Sequence, residues 1–245
     1  MPYSLKPRTI SSTRPCGLSR SQRISLGGMD FIPDLSGALY APEFKTLLVA
    51  DLHLEKGTSL ARRGIHLPPY DTRQSLVQLQ AVIAEARPQR LILLGDSFHD
   101  MTARERIDAG DIAVLRAVTS AIETIWISGN HDPAPPADLG GSIANEVALG
   151  GITLRHQPGP LADGMLEIAG HLHPAAAVES RGRRIRCKCF IADQRRIIMP
   201  AFGSYTGSLG VRSEAFQVLF GDYQVWMLGG RAIHRFPASK VRRAS

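Results

Sequence analysis

The amino-acid sequence predicts a single α/β domain, with a helix-covered parallel sheet in its first half and mostly antiparallel strands in its second. Three short apolar runs of strand length begin at Lys45, Arg90 and Thr124, and each ends at a glycine or an aspartate. Apolar residues at helical spacing fill both intervals between these runs. The connections are therefore long enough to cross over between parallel strands.

The two helices have separate sequence signals. Asp71-Thr72 is a candidate N-cap for the first helix, and Pro88 ends it. Apolar positions from Ile107 to Val118 repeat the helical spacing and predict the second helix.

Short alternating strands dominate the chain after residue 150. We expect strands at 152–155, 165–169, 175–180, 184–191, 195–199, 216–220 and 223–227. Turn residues at 193–194 and 221–222 fall between strands that can form hairpins.

Length and composition exclude several classes of protein. A chain of 245 residues with 44% apolar residues buries about 70–75% of the surface that its unfolded form exposes, so it needs no disulfide scaffold. The absence of a run of 18 apolar residues excludes an ordinary membrane span. Cys16, Cys187 and Cys189 are odd in number and form no C-x-x-C motif, so we expect reduced thiols and a cytoplasmic protein.

The positive charge is distributed unevenly. The formal net charge of +7 favours a polyanionic partner such as nucleic acid. Residues 1–28 supply five cations and no acid, which leaves +2 for the remaining chain. We expect a basic, disordered extension at 1–28, the folded domain at 29–232 and a basic C-terminal tail at 233–245. The extension has three alternative interpretations, namely an organelle transit peptide, a nucleic-acid-binding tail, or residues upstream of a true start at Met29.

A second basic cluster lies within the domain. Arg184, Arg186 and Lys188 are two residues apart, so on a strand their side chains share one face. This pattern is typical of a solvated sheet face, and the alternative is a groove that follows a phosphate backbone.

Chemically reactive side chains follow five of the predicted strands where each strand ends. These residues are Asp51 and His53, Asp96, Asn130 and His131, His156, and His171 and His173. In open α/β sheets, ligands bind beyond the carboxyl ends of the strands. Residues two apart in extended backbone point the same way, and Gly95 and Gly129 allow the backbone to approach closely. We therefore expect these side chains to meet in one place.

The donor set predicts a site for two divalent metal ions. Seven donors (Asp51, His53, Asp96, Asn130, His156, His171 and His173) are too many for one ion and suit two ions that share a carboxylate. Imidazole with carboxylate suits Mn, Fe, Zn or Ni, and the lack of thiolates argues against a structural zinc site. Two such ions outweigh the charge of two aspartates, so the centre attracts a phosphate and activates a water.

The order of these motifs resembles that of the calcineurin-like metallophosphoesterase superfamily. The segments at 50–57, 63–68, 94–99 and 200–203 resemble, more narrowly, the bacterial ligase-associated DNA damage response endonuclease family. The resemblance implies a four-layer α/β/β/α sandwich of two mixed sheets in a single domain. It also implies that manganese is the usual metal.

The resemblance implies a role for each site residue. Asp51, His53, Asp96 and His173 are expected to hold one ion, and Asp96, as the bridge, is expected to hold the second with Asn130, His156 and His171.

His131 is expected to face the scissile phosphate as a general acid or as a group that stabilises the transition state. Many superfamily members orient this histidine with an aspartate at a position that is His99 in this chain. Asp100 or Asp132 is then left to orient His131, unless the protonation scheme differs.

The resulting hypothesis is a metal-dependent phosphodiesterase. The family resemblance implies a DNA endonuclease that cuts single strands within a DNA repair system, associated with an ATP-dependent DNA ligase, a helicase and an exonuclease and not with a membrane. Lys56, Arg62 and Arg63 are either solvated cations or groups that bind the phosphates beside the cleavage position.

Two alternatives remain open. One is a phosphomonoesterase or a nucleotide or cyclic-nucleotide phosphohydrolase, because the motifs build the metal centre and not the substrate pocket. The other is a non-catalytic scaffold of the same fold, which the complete set of ligand residues disfavours.

Overall fold

The computed structural model describes residues 22–68 and 70–243 and contains two mixed sheets that pack face to face. The strands of the first sheet are β1 Ile24–Leu26, β2 Met29–Pro33, β3 Leu39–Ala41, β4 Thr46–Val49, β5 Arg90–Leu94, β6 Glu123–Ile127 and β7 Ser142–Ala144, in that spatial order. Neighbours are antiparallel from β1 to β4 and parallel from β4 to β7. The parallel half is the part that the sequence predicted from its strand–helix pattern.

Helices cover the outer face of the first sheet. The helices on this side are α1 Lys56–Ala61, α2 Asp71–Ala86, α3 Ala103–Arg106 and α4 Ala109–Ala121, whereas α5 Glu214–Gln217 lies outside the second sheet. Successive strand residues face opposite sides, so Leu47 and Leu91 pack under α2 and α4 while Leu48 and Ile92 enter the core between the sheets. The first sheet is therefore buried on both faces, as its continuous apolar runs predict.

The second sheet is mostly antiparallel. Its strands are β8 Glu146–Leu149, β9 Ile152–Arg155, β10 Leu166–Ala169, β11 Pro174–Ser180, β12 Arg183–Ala192, β13 Arg196–Ile198, β14 Leu209–Gly210, β15 Gln224–Leu228 and β16 Ile233–Pro237. The spatial order is β14-β11-β12-β13-β10-β9-β8, and β15 pairs with both β12 and β16. Within it β9, β10 and β13 run parallel, so their carboxyl ends meet at one edge. The outer face packs against α5 and its neighbours, which confirms a four-layer sandwich.

One predicted strand is wrong. Residues 216–220 were expected to be extended, yet α5 spans Glu214–Gln217. Phe216 and Phe220 are four residues apart, and both side chains are buried in the outer core of the second sheet. Spacing of four residues places side chains on one side of a helical turn, and a short apolar run conceals this alternative.

Both predicted domain boundaries differ from the structure. β1 begins at Ile24, inside the expected extension, because Ile24 and Leu26 are fully buried against the second sheet. Residues 1–21, with Cys16, lie outside the described residues. The expected tail includes β16, which pairs with β15, and the buried side chain of Val241.

Within residues 22–68 and 70–243, no helix combines the length and the apolar character that crossing a membrane requires.

Candidate metal centre

All seven predicted ligands lie together at the carboxyl ends of five strands. Each follows its strand by one to four residues, after β4, β5, β6, β9 and β10. Two groups of three side chains bring their ligand atoms within 4.8 Å of one another, namely Asp51, His53 and His173, and Asp96, His156 and His171. The two facing sheets thus deliver ligands from opposite sides into one site.

The ligand backbones are not extended, which differs from the basis of the prediction. Asp51, His53, Asp96, His171 and His173 all have φ between 44° and 67°. This left-handed region costs a non-glycine residue about 1–2 kcal/mol, and such strain is concentrated at functional sites. The two pairs therefore converge through sharp turns at the strand ends rather than through strand alternation.

The first group surrounds a point between Asp51, His53 and His173. Nε2 of His173 is 3.2 Å from Oδ1 of Asp51 and 3.3 Å from Nε2 of His53. The backbone N–H of His171 donates to both carboxylate oxygens of Asp51, at 3.2 and 3.0 Å, and fixes their direction.

The second group surrounds Nε2 of His156. This atom is 2.9 Å from Oδ1 of Asn130, 3.2 Å from Nδ1 of His171 and 3.3 Å from Oδ2 of Asp96. Nδ1 of His156 lies 2.9 Å from the carbonyl of Leu94 and donates its proton there, so Nε2 is the ring nitrogen that faces the group.

Asp96 joins the two groups. Its Oδ2 atom lies 3.7 Å from Nε2 of His53 in the first group and 3.3 Å from Nε2 of His156 in the second. Its Oδ1 atom accepts a hydrogen bond of 2.9 Å from the backbone N–H of His131. Asp96 would therefore contribute to both groups if each held an ion.

These spacings fit metal ligation better than hydrogen bonding. Two ligands at about 2.1 Å from a common ion are about 3.0–3.4 Å apart in octahedral or tetrahedral geometry. The contacts of 2.9–3.3 Å in the second group agree with this range. All of them involve Nε2 of His156, and a single proton on that atom cannot form good hydrogen bonds with three acceptors at once. The residues present therefore fit two divalent ions.

The pKa values of the ligands show an environment that favours a cation. Burial lowers the pKa of His53 to about 2 and also lowers that of His171, so both rings are neutral and offer lone pairs. Burial opposes the charged form of His156, but the hydrogen bond and charge of Asp96, together with Asp51, raise its pKa to about 9. Burial would likewise raise the pKa of Asp96, but His156 and the His131 amide hold it at about 2.

Two glycines allow the strand ends to pack this closely. A Cβ atom on Gly95 would lie 2.5 Å from the ring of His156, and one on Gly129 would lie 2.2 Å from the backbone nitrogen of Asp96. Gly95 also has a φ of +76°. Both positions therefore require glycine, as the sequence indicated.

His131 lies beside the ligands with its ring partly in solvent. Nδ1 is 2.9 Å from the carbonyl oxygen of His99, to which it donates a proton. The two rings stack, with centroids 5.1 Å apart and planes at 20°. His99 also places Nδ1 at 3.4 Å from Nδ1 of His53, so it links His131 to the first group.

The contact expected from Asp100 or Asp132 is made by the main chain of His99 instead. Both oxygens of Asp100 accept hydrogen bonds from Arg106, at 3.0 and 2.8 Å. Asp132 is buried, which raises its pKa to about 7, and it accepts a 3.0 Å hydrogen bond from the Phe98 amide. A backbone carbonyl has no sequence signature, so the prediction missed this contact.

The loop after β4 is held by a network that the sequence did not reveal. Oγ1 of Thr72 donates to Oε1 of Glu55 at 2.8 Å, and Oδ2 of Asp71 accepts from the Gly57 amide at 2.9 Å. The expected N-cap residues of α2 therefore bind a neighbouring loop, and Tyr70 takes the N-cap position. Lys56, which begins α1, is half-buried, and its pKa is lowered by burial against the opposing effects of Asp71 and Asp96.

An open cleft of about 490 Å³ borders His131. It is lined by Ser59, Arg62, Arg63, Asp100, Met101, Thr102, Asn130 and His131. Two arginines therefore lie on the same cleft as the candidate ligand Asn130 and the expected general acid His131.

The basic face of β12 supports the site from outside. Nζ of Lys188 donates to the carbonyls of Ala201 and Gly203 and to Oγ1 of Thr206, at 2.8, 3.0 and 2.9 Å. The Gly203 amide in turn donates to the carbonyl of Asp51 at 3.1 Å. Lys188 therefore has a structural role.

Comparisons with known proteins place this site in context. No known protein-family profile matches the chain. Over 94 residues it is 29% identical to the "probable inactive purple acid phosphatase 29" of Arabidopsis thaliana, covering 37% of this chain and 24% of that protein. The chain thus spans about a quarter of the length of this relative.

Solved structures give a fuller match. The chain is similar to the nuclease MPE of Pseudomonas putida, with 29% identity, a TM-score of 0.70, and coverage of 88% of this chain and 99% of that one. The phosphoesterase YfcE of E. coli matches with 15% identity and a TM-score of 0.41, over 78% of this chain and 97% of that one.

The two mixed sheets, the order of the ligand motifs and the similarity over nearly the whole Pseudomonas protein agree with one another. The chain has the fold and the ordered ligand motifs of the calcineurin-like metallophosphoesterase superfamily, and its site is that of a metal-dependent phosphoesterase.

Proposed function

We propose that the protein is a phosphodiesterase that uses two divalent ions, with manganese as the preferred metal, to cut single-stranded DNA internally. The observation that carries the proposal is the position of Asp96. Its Oδ2 atom joins two complete donor groups, and its Oδ1 atom fixes the backbone of His131 at the open cleft. A cluster of this kind and an adjacent proton donor are the two parts that hydrolysis of a diester requires.

The ions, when bound, supply Lewis acidity for attack of a water on phosphorus. The chain orients them through rigid ligands, since Leu94 and the His171 amide fix His156 and Asp51. His131 donates its Nδ1 proton to the His99 carbonyl and keeps Nε2 for the substrate. When the ring is protonated, Nε2 transfers its proton to the leaving oxygen of the broken ester bond.

Two observations favour a diester in a longer chain over a small monoester. The cleft beside His131 is open and carries Arg62 and Arg63, which suit phosphates on either side of the reacting one. The chain is also similar to a nuclease along 99% of that protein. We extend the proposal to a cytoplasmic DNA repair system that includes an ATP-dependent DNA ligase, a helicase and an exonuclease, as the sequence motifs suggest.

The test compares three substrates under Mn²⁺. They are a linear single-stranded oligonucleotide, bis-p-nitrophenyl phosphate and p-nitrophenyl phosphate. We expect cleavage of the oligonucleotide and the diester to exceed that of the monoester. A preference for p-nitrophenyl phosphate would reject the proposal in favour of a phosphomonoesterase. A circular single-stranded DNA separates internal from terminal cleavage, because only an endonuclease cuts it.

Asp96→Asn tests the bridging role. The amide cannot supply a second negative oxygen to two ions, so we expect turnover to fall by at least about 100-fold. Circular dichroism should show a folded chain. Thermal unfolding at rising Mn²⁺ should show a much smaller stabilisation than in the wild type, since an ion at 100 times its Kd stabilises by about 2.7 kcal/mol. Wild-type turnover would contradict the assignment.

A further inference from the structure

The hairpin of β11 and the first half of β12 (residues 174–188, hereafter the basic hairpin) is strongly positive. From Arg181 to Lys188 it carries five cations in eight residues and no acid. All residues from Arg181 to Arg186 are exposed. Its single acid, Glu179, lies 3.5 Å from the guanidinium of Arg242. The hairpin therefore presents a net positive charge to solvent.

Strand register places this hairpin beyond the edge where the metal ligands gather. β13 ends at Ile198, which pairs with Ile191 of β12. β10 runs parallel to β13 and leads into His171 and His173. The first half of β12 continues past this edge, and Arg183 lies about 26 Å from Ile191 at about 3.3 Å per residue.

One face of the basic hairpin is turned toward the site. Arg186 donates to the carbonyl of Ser208 at 2.9 Å, and the amide of Leu209 donates to the carbonyl of the ligand His173 at 3.0 Å. Arg184 shares the face of Arg186 by strand alternation, whereas Arg183 lies on the other face. Arg184 and Arg186 are hereafter the site-facing row.

The side chains of this row have the chemistry of phosphate recognition. A guanidinium carries five N–H donors in a planar fork that matches two phosphate oxygens. Arg186 uses one nitrogen on Ser208, so the contact orients the fork and leaves other donors for a ligand. Arg184 lies two residues farther from the site along the same strand, and it donates to the carbonyl of Arg243.

We propose that the site-facing row binds the phosphates of single-stranded DNA on one side of the cleavage position. This inference rests on the DNA cleavage proposed above and deepens it, because it names the surface that holds the strand outside the metal centre. Arg62 and Arg63 lie instead on the cleft beside His131. The row therefore adds affinity only for substrates long enough to reach the hairpin.

The test uses double variants with equal losses of charge. Arg184→Gln with Arg186→Gln removes the row. Arg181→Asn with Arg183→Gln removes two charges from the turn and the other face, and asparagine suits the φ of +50° at Arg181. Arg23→Gln with Arg87→Asn removes two charges elsewhere, and residue 87 also has a positive φ, of 47°. The KM for a 30-nucleotide single strand is measured between 50 and 200 mM KCl. The cleavage rate of each variant is divided by its own turnover of bis-p-nitrophenyl phosphate, which corrects for changes at the metal centre.

For a single strand, the slope of log affinity against log salt concentration changes by about 0.7 for each phosphate contact. Two contacts therefore change the slope by about 1.4 and the affinity at 0.1 M salt by a factor of about 25. We therefore expect the row variant to raise the KM about 25-fold and to reduce the slope of log KM against log salt concentration by about 1.4. The other two doubles should change the KM less than about threefold. Arg181 and Arg183 lie on the turn and the opposite face, and Arg23 and Arg87 lie on other elements, so only screened charge effects remain. Arg184→Lys with Arg186→Lys keeps the charge and should recover the salt dependence.

Equal losses in all three doubles, or a row variant with the wild-type KM, would overturn the inference while leaving DNA cleavage intact. A wild-type protein that hydrolyses bis-p-nitrophenyl phosphate but no oligonucleotide would instead reject the proposed function, and this inference with it.

Discussion

Replacing Gly95 with alanine tests whether backbone packing controls the second donor group. The new Cβ atom would lie 2.5 Å from Cγ and Nδ1 of His156, whereas ordinary contact begins at 3.4 Å. The imidazole must therefore move by about 0.9 Å. A metal site tolerates about 0.2 Å in its ligand distances, so His156 leaves its position and turnover should fall by about 100-fold.

Gly164→Ala is the matched control. Gly164 has a φ of +77°, within one degree of Gly95, but no atom lies within 4 Å of its added Cβ. Both variants therefore carry the same left-handed strain of about 1–2 kcal/mol. Only the variant at Gly95 adds the steric clash, which should cost a further 1–3 kcal/mol, roughly.

Urea unfolding and bis-p-nitrophenyl phosphate turnover under Mn²⁺ measure the two effects separately. We expect the variant at Gly164 to lose about 1–2 kcal/mol of stability and to keep its turnover. The variant at Gly95 should lose both stability and turnover, with weaker Mn²⁺ binding by calorimetry. Turnover within about threefold of the control, far less than a misplaced ligand should cost, would show that His156 accommodates the methyl group and that the reasoning is wrong.

Two further predictions concern residues outside the ligand set. Lys188→Met removes three hydrogen bonds to the segment at 201–206 and should lower the free energy of unfolding in urea by about 3 kcal/mol. The control Lys240→Met replaces an exposed lysine and should cost almost nothing. Equal stabilities of the two variants would show that Lys188 has no structural role. Asp100→Asn breaks the ion pair with Arg106 and should lower the free energy of unfolding by about 1 kcal/mol. Turnover of bis-p-nitrophenyl phosphate should stay within about threefold of the wild type, because the His99 carbonyl and not Asp100 contacts the His131 ring. A 100-fold loss of turnover would show that Asp100 orients His131 after all.

The sequence predicted well which side chains lie together, because parallel strands bring their carboxyl ends to one edge. Asp96 follows β5 by two residues and Asn130 follows β6 by three, so knowing the strands suffices to place them. The strand pattern does not predict the backbone conformation of the residues that follow each strand. Asp51 and His53 were expected in extended backbone, yet both are left-handed, because turns at the edge of the sheet decide their directions.

Contacts made by main-chain atoms and by distant segments could not be predicted. The acceptor for His131 is a carbonyl at His99, and any residue type supplies a carbonyl. The N-terminal boundary had a usable signal, since Ile24 and Leu26 alternate before the Gly27-Gly28 turn. The expected extension was drawn around the five cations of residues 1–28, and Arg23, the last of them, directly precedes this strand. The strand was therefore included in the extension.

The structure also explains why the motifs identify the chemistry more readily than the substrate. The candidate ligands lie in short segments after five strands, and these segments meet around Asp96. The exposed arginines of the basic hairpin lie on later residues that pair mainly with each other, outside the segments that carry the candidate ligands. Under the proposed function, substrate length and strand path are encoded in a part of the chain that the motifs do not constrain. The comparison of the row variant with its two charge-matched controls is the measurement that addresses that part.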